Sequence, residues 1–105
     1  SRVKMGHETT LKGMVRTSYS DVDVNGHVNS VKYIEHMLNI WPLDWYHEHR
    51  IQRIEVAYVA EAHGGDTLLF YEEQVADKDF LVRICKQDNT SDKEIEVVRC
   101  RVVFE

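Results

Sequence analysis

From Asn29 to Trp41 the apolar residues repeat at helical spacing. Val31, Ile34, Leu38 and Trp41 step by three or four and draw one stripe along an amphipathic helix. Asn29 or Ser30 supplies a natural N-cap. Pro42 disfavours helix at Trp41 and suits the first turn of a new one, so Leu43–Glu48 is expected as a second short helix. Around this core the chain is strand-like. Residues 9–19 are rich in β-branched and apolar side chains. Residues 52–62 alternate, with Ile54, Val56 and Tyr58 on one face. Residues 67–75, 80–86 and 94–104 complete the set. Gly64-Gly65-Asp66 and the polar links at 77–79 and 88–92 punctuate them. One long helix must bury its stripe against a sheet face. The expected class is α+β, a single domain over residues 1–105 with an antiparallel sheet wrapped on the helix. A chain of 105 residues can bury a core without staples.

Charge and composition narrow the function. A formal net charge of −5 argues against nucleic acid as the main partner, because phosphate binding wants a cationic surface. It gives no general attraction to an anionic cofactor or acidic carrier either. Arg50, Arg53, Lys78, Arg83, Lys86, Arg99 and Arg101 either form a local basic patch on the strands or are dispersed over the surface. No apolar run is long enough to span a membrane, and no secretory signal is visible. Cys85 and Cys100 fall on neighbouring strands. They read as two free thiols in a reducing, cytoplasmic setting.

The densest chemistry lies just before the helix. Asp21, Asp23, Asn25, His27 and Asn29 place a polar group at every second position. Three interpretations fit this run. A calcium loop asks for acids or amides at positions one, three and five, glycine at six and a glutamate at twelve. Asp21, Asp23, Asn25 and Gly26 comply, but position twelve is Lys32. A structural loop would use the Asp and Asn side chains as turn and helix caps, which leaves His27 without a purpose. A catalytic loop would use His27, whose unperturbed pKa of about 6.5 suits proton transfer near neutrality. Helix N–H groups would then stabilise a developing oxyanion.

The run Ser20-Asp21-Val-Asp23-Val-Asn25-Gly26-His27-Val28-Asn29-Ser30-Val31-Lys32-Tyr33-Ile34 closely resembles the second hotdog repeat of acyl–acyl carrier protein thioesterases. It shares the looser Asp…Gly-His-Val-Asn…Tyr pattern of hotdog acyl-CoA thioesterases, within the 4-hydroxybenzoyl-CoA thioesterase-like superfamily. Ile54-Glu55-Val56-Ala57-Tyr58-Val59-Ala60-Glu61-Ala62, followed by Gly65-Asp66-Thr67-Leu68, agrees in order and spacing. The match covers nearly all of this chain but about half of a two-repeat relative. The resemblance implies the hotdog fold, a strongly curved antiparallel sheet around a central helix. It implies hydrolysis of a fatty acyl thioester, carried by acyl carrier protein or CoA, to a free acid and a thiol.

On the same resemblance the catalytic Asp, Asn and His fall on Asp23, Asn25 and His27, and the strand acid on Glu61. Plant relatives carry a cysteine next, where this chain has Ala62, so that nucleophile is absent. Glu61, or a carboxylate paired with His27, would activate water. Asn25 and His27 would orient the reactants, and Asp23 would position the group. Backbone N–H groups around Val28 and Asn29 would hold the oxyanion. No metal or organic cofactor is required. Hotdog domains pair, so a homodimer or a pairing with another repeat is expected, the latter if the chain is the C-terminal piece of a larger protein. The alternative is a non-catalytic acyl-binding or dimerisation module.

The remaining residues have plainer expectations. His7, His36, His47, His49 and His63 read as solvated surface groups, with His63 kept in view for its closeness to Glu61. Trp41, Trp45 and Tyr46 either line an acyl pocket or pack the core.

Overall fold

The computed structural model describes residues 9–88 and 90–105; His7 and Asn89 lie outside them. The elements run β1 (Thr10–Arg16), a 3-10 turn (Tyr19–Asp21), α1 (Ser30–Leu38), α2 (Leu43–Glu48), β2 (Ile51–Tyr58), β3 (Thr67–Ala76), β4 (Asp79–Gln87) and β5 (Glu94–Phe104). The five strands form one antiparallel sheet in the order β1-β3-β4-β5-β2. The last three strands, β3, β4 and β5, are joined by short polar links and pair as successive neighbours in the middle of the sheet. β2 comes earlier in sequence yet lies on the far edge, against β5.

Helix α1 starts where Asn29 caps it, its side-chain oxygen accepting the Val31 N–H at 3.1 Å. The buried face differs from the expected stripe. Tyr33 and Met37 are buried, Ile34 and Leu38 flank them, and Val31 is 58% exposed. At about 3.6 residues per turn Val31 sits roughly 120° around the axis from Met37, at the margin of the face that meets the sheet. The core side of the sheet carries Leu68, Phe70, Val82, Ile84, Val98, Cys100, Val102 and Phe104.

Trp41 packs in the core, and Trp45 and Tyr46 are partly buried against it, with Trp45 also lining an open surface cavity. Trp41 meets Phe104 at 5.1 Å and Phe80 at 5.4 Å between ring centroids, and Trp45 and Tyr46 meet Phe104 at 5.3 and 5.9 Å. These edge-to-face contacts plug the end of the sheet. Cys85 and Cys100 are free and buried. They are on adjacent strands but out of register, Cys85 opposite Glu96 and Cys100 opposite Val82. Burial pushes the Cys100 thiol up to about 12, so it stays protonated and unreactive.

Two strands end earlier than their propensity suggests. β1 stops at Arg16 because Thr17 turns inward. Its hydroxyl donates to the His63 and Asp66 carbonyls at 2.9 and 2.8 Å. β2 stops at Tyr58 because the Val97 carbonyl takes the N–H groups of both Val59 and Ala60. The chain then leaves the ladder and swings residues 61–63 toward the polar loop.

Among the described residues no helix is long and apolar enough to cross a membrane. Four of the strand arginines have partners. Arg53 pairs with Glu55, Arg99 with Glu96 and Arg101 with Asp79, and Arg83 lies over the Tyr71 ring.

Candidate active site

The loop before α1 folds as a small turn built from its own polar side chains. Val22 bridges Val28, and the Asp23 N–H donates to the His27 carbonyl at 2.8 Å. Gly26 closes the turn onto the Asp23 carbonyl with φ of 81°, a left-handed conformation that favours glycine. The Asp23 carboxylate accepts the Asn25 N–H at 2.9 Å and the His27 N–H at 3.0 Å. Asp23 therefore orients the backbone that carries His27. Asn25 sits at the exposed tip.

The segment after β2 docks onto this turn. His27 and His63 bridge as antiparallel partners, the Gly64 N–H donates to the Gly26 carbonyl, and the Val28 N–H donates to the Ala62 carbonyl. Ala62 is fully buried, and its own N–H donates to the Tyr33 hydroxyl at 2.9 Å. Lys86 Nζ donates to the Glu61 carbonyl. The consequence is a meeting of two side chains 34 positions apart. His27 Nδ1 lies 3.6 Å from Glu61 Oε2, with the side chains 38% and 69% exposed. The distance is longer than that of a tight hydrogen bond, and such contacts often shorten only when substrate binds. The His63 ring stands edge-on to the His27 ring at 5.0 Å.

The expected oxyanion donors are corrected by this geometry. The Val28 N–H is engaged by Ala62 and the Asn29 N–H by the Asp21 carbonyl at 2.8 Å. Both groups close the loop onto its neighbours, so neither is free to bind a substrate oxygen. Val31 and Lys32 donate back to Asn29. Ser30 is then the first helical N–H with no acceptor among the described residues. The calcium interpretation fails for a similar reason. Asp23 faces its own backbone, Asp21 faces His36, and Lys32 pairs with Glu35 at 3.0 Å. These carboxylates do not converge on a common point.

His36 is a second correction. It is a partner to a buried carboxylate, Nε2 lying 2.7 Å from Asp21 Oδ1, and not a solvated helix residue. Tyr33 and Lys86 also escaped sequence reasoning. Tyr33 stands within the resembling motif, but its hydrogen bond is visible only once Ala62 is placed. Replacing Tyr33 with Phe removes the acceptor of a buried N–H, so the domain should lose about 1–3 kcal/mol in urea unfolding. A loss under roughly 0.5 kcal/mol would mean that another acceptor takes over.

The profile of the acyl-ACP thioesterase C-terminal domain family matches residues 4–102. The chain belongs to this family. This acyl-ACP thioesterase C-terminal domain also has relatives of known structure. An acyl-ACP thioesterase from Bacteroides thetaiotaomicron is 42% identical, with a TM-score of 0.86 over 100% of this chain and 41% of its own. The 12:0-ACP thioesterase from Umbellularia californica is 18% identical, with a TM-score of 0.80 over 100% of this chain and 39% of its own. A hexameric thioesterase from Yersinia pestis is 9% identical, with a TM-score of 0.71 over 95% of this chain and 88% of its own. The last two share the fold, which is the hotdog fold of thioesterases. The domain spans about two-fifths of the two acyl-ACP thioesterases, at 41% and 39%. No curated protein matches the chain.

Proposed function

We propose that this domain contributes the catalytic residues for hydrolysis of fatty acyl thioesters, with acyl carrier protein or CoA as the thiol. The observation that carries the proposal is the approach of His27 to Glu61 at 3.6 Å. Two separate segments are pinned by buried backbone hydrogen bonds to bring these side chains together, and a scaffold has no need of that.

In the mechanism, the Glu61 carboxylate takes a proton from water as the water oxygen bonds to the thioester carbonyl carbon. The carbonyl oxygen becomes an oxyanion, with the Ser30 N–H as a candidate donor at the helix start. Collapse of the tetrahedral intermediate breaks the C–S bond, and the leaving thiolate is protonated by His27. Asn25, at the loop tip, orients the thioester or the water, and Asp23 holds the His27 backbone in place. Attack by the carboxylate itself, giving a mixed anhydride, is the rival route.

The open position of the site supports pairing. His27 and Glu61 are exposed at 38% and 69%, and enclosure by a second hotdog domain would exclude water from the acyl chain. β2 is an edge strand of the sheet, with Ile51, Tyr58 and Val59 exposed at or beside it. A homodimer or a companion repeat in the same chain fills this role. Free buried thiols on neighbouring strands suit a reducing, cytoplasmic compartment.

The test is hydrolysis of an acyl chain-length series on carrier protein and on CoA, with the size of the active species measured in parallel. Turnover by a paired species is expected. A folded pair that binds acyl thioesters without hydrolysing them would replace this proposal with a non-catalytic acyl-binding module.

A further inference from the structure

Asp21 is a buried carboxylate at the root of the His27 loop, 4% exposed. Each of its polar atoms is engaged. Oδ1 lies 2.7 Å from His36 Nε2 on α1. Oδ2 accepts the Ser18 N–H at 2.9 Å and the Ser18 hydroxyl at 3.4 Å. The backbone carbonyl accepts the Asn29 N–H at 2.8 Å, and the Asp21 N–H donates to the Ser18 carbonyl at 2.9 Å. One residue thus fixes both ends of the loop. Its carbonyl closes residue 29 onto residue 21, and its side chain ties that closure to the last turn of the helix.

Burying a carboxylate beside an imidazole is a poor way to gain stability, since a well-packed apolar pair does as well or better. Burial pushes the Asp21 carboxyl up, but the hydrogen bonds from His36 and Ser18 outweigh it and hold the group below the ordinary carboxylate range. What the pair does supply is direction, because both side chains have fixed hydrogen-bonding geometry. We propose that Asp21 and His36 form a positioning pair that sets the 22–28 loop on α1 and so aims His27 at Glu61. Neither residue touches the 3.6 Å His27–Glu61 contact itself. The consequence for turnover rests on the thioesterase proposal; the geometric part does not.

The test uses His36→Leu, which offers Asp21 no hydrogen bond, and His36→Gln, which restores one N–H donor. Amide hydrogen exchange is followed at His27 and Asn29, with Val82 and Val98 in the sheet as core references, and kcat and KM are measured in the native chain. In His36→Leu, exchange at His27 and Asn29 should accelerate about tenfold or more while the core amides keep their protection. The expected kinetic effect is a fall in kcat of roughly tenfold with KM within about twofold, as misaimed groups lose attack geometry rather than affinity. His36→Gln should recover most of both effects, which loss of general stability would not allow. Unchanged loop exchange in His36→Leu overturns the proposal, and so does a Gln variant that matches Leu. If His36→Leu fails to fold, His36→Gln against wild type decides: wild-type loop protection and kcat support the pair, and loop exchange as fast as in the unfolded chain overturns it. If the wild type itself hydrolyses nothing, the thioesterase proposal has failed, and the exchange rates still decide this one.

Discussion

Substituting His27 with Ala should lower kcat/KM for acyl thioesters by roughly two to four orders of magnitude, the usual worth of a positioned acid–base group. Glu61→Gln should cost a similar factor. The two losses should not multiply. Glu61 takes the proton of the attacking water and His27 returns one to the leaving thiol in the following step, so the slower step sets the rate and removing both is little worse than removing one. The stability of each variant should stay within about 0.5 kcal/mol of wild type, because the side chains are 38% and 69% exposed and their contact is loose. Steady-state kinetics beside urea melts separate the effects. Full activity in His27→Ala would sink the assignment, and losses that multiply would place both groups, acting independently, in the same rate-limiting transition state.

The sequence carried these elements unevenly, for physical reasons. α2 and β5 have the expected ends because a proline and a polar link mark them. Asn29 caps α1 because an Asx side chain at that place has few better partners. β1 and β2 are shorter than expected because Thr17 is a strand former and the alternation of residues 52–62 runs on through Val59 and Ala60. Their real partners, the Asp66 and Val97 carbonyls, are tertiary. The site shows the same division. The local turn around Asp23 and Gly26 is encoded in adjacent residues. The 34-residue separation of His27 from Glu61 says nothing about distance, and only the family resemblance brought them together. Which N–H groups are free at the helix start depends on the Ala62 and Asp21 carbonyls, which engage Val28 and Asn29 and which no local pattern reveals. His36 was missed because no periodicity marks a histidine that looks back across the loop to a buried acid.

Phe70→Ala should be the most damaging single change to the fold. Phe70 is 0% exposed, on β3 between β1 and β4, paired with Gly13 on one side and Ile84 on the other. A Cβ at Gly13 would make ordinary contacts with Phe70 at 3.8 Å and Ile40 at 3.5 Å, so the ring and Ile40 both lie against this point of β1. The ring lies in the buried cluster that joins Tyr33 and Met37 of α1 to the sheet. Deleting it loses the transfer free energy of the ring and leaves a cavity, together about 3–5 kcal/mol. That is a large share of the roughly 5–15 kcal/mol that holds a domain folded. At about 4–8 °C per kcal/mol the melting temperature should drop by ten degrees or more. Val75→Ala on the same strand, where the side chain is 46% exposed, should stay within roughly 0.5 kcal/mol of wild type. The urea midpoint should move in Phe70→Ala while the slope holds, since the surface exposed on unfolding is nearly unchanged. A midpoint close to that of Val75→Ala would mean that helix and sheet are not held together through this ring. The placement of Glu61 against His27 would then rest on the hydrogen bonds that dock residues 61–64 onto the loop and onto Tyr33.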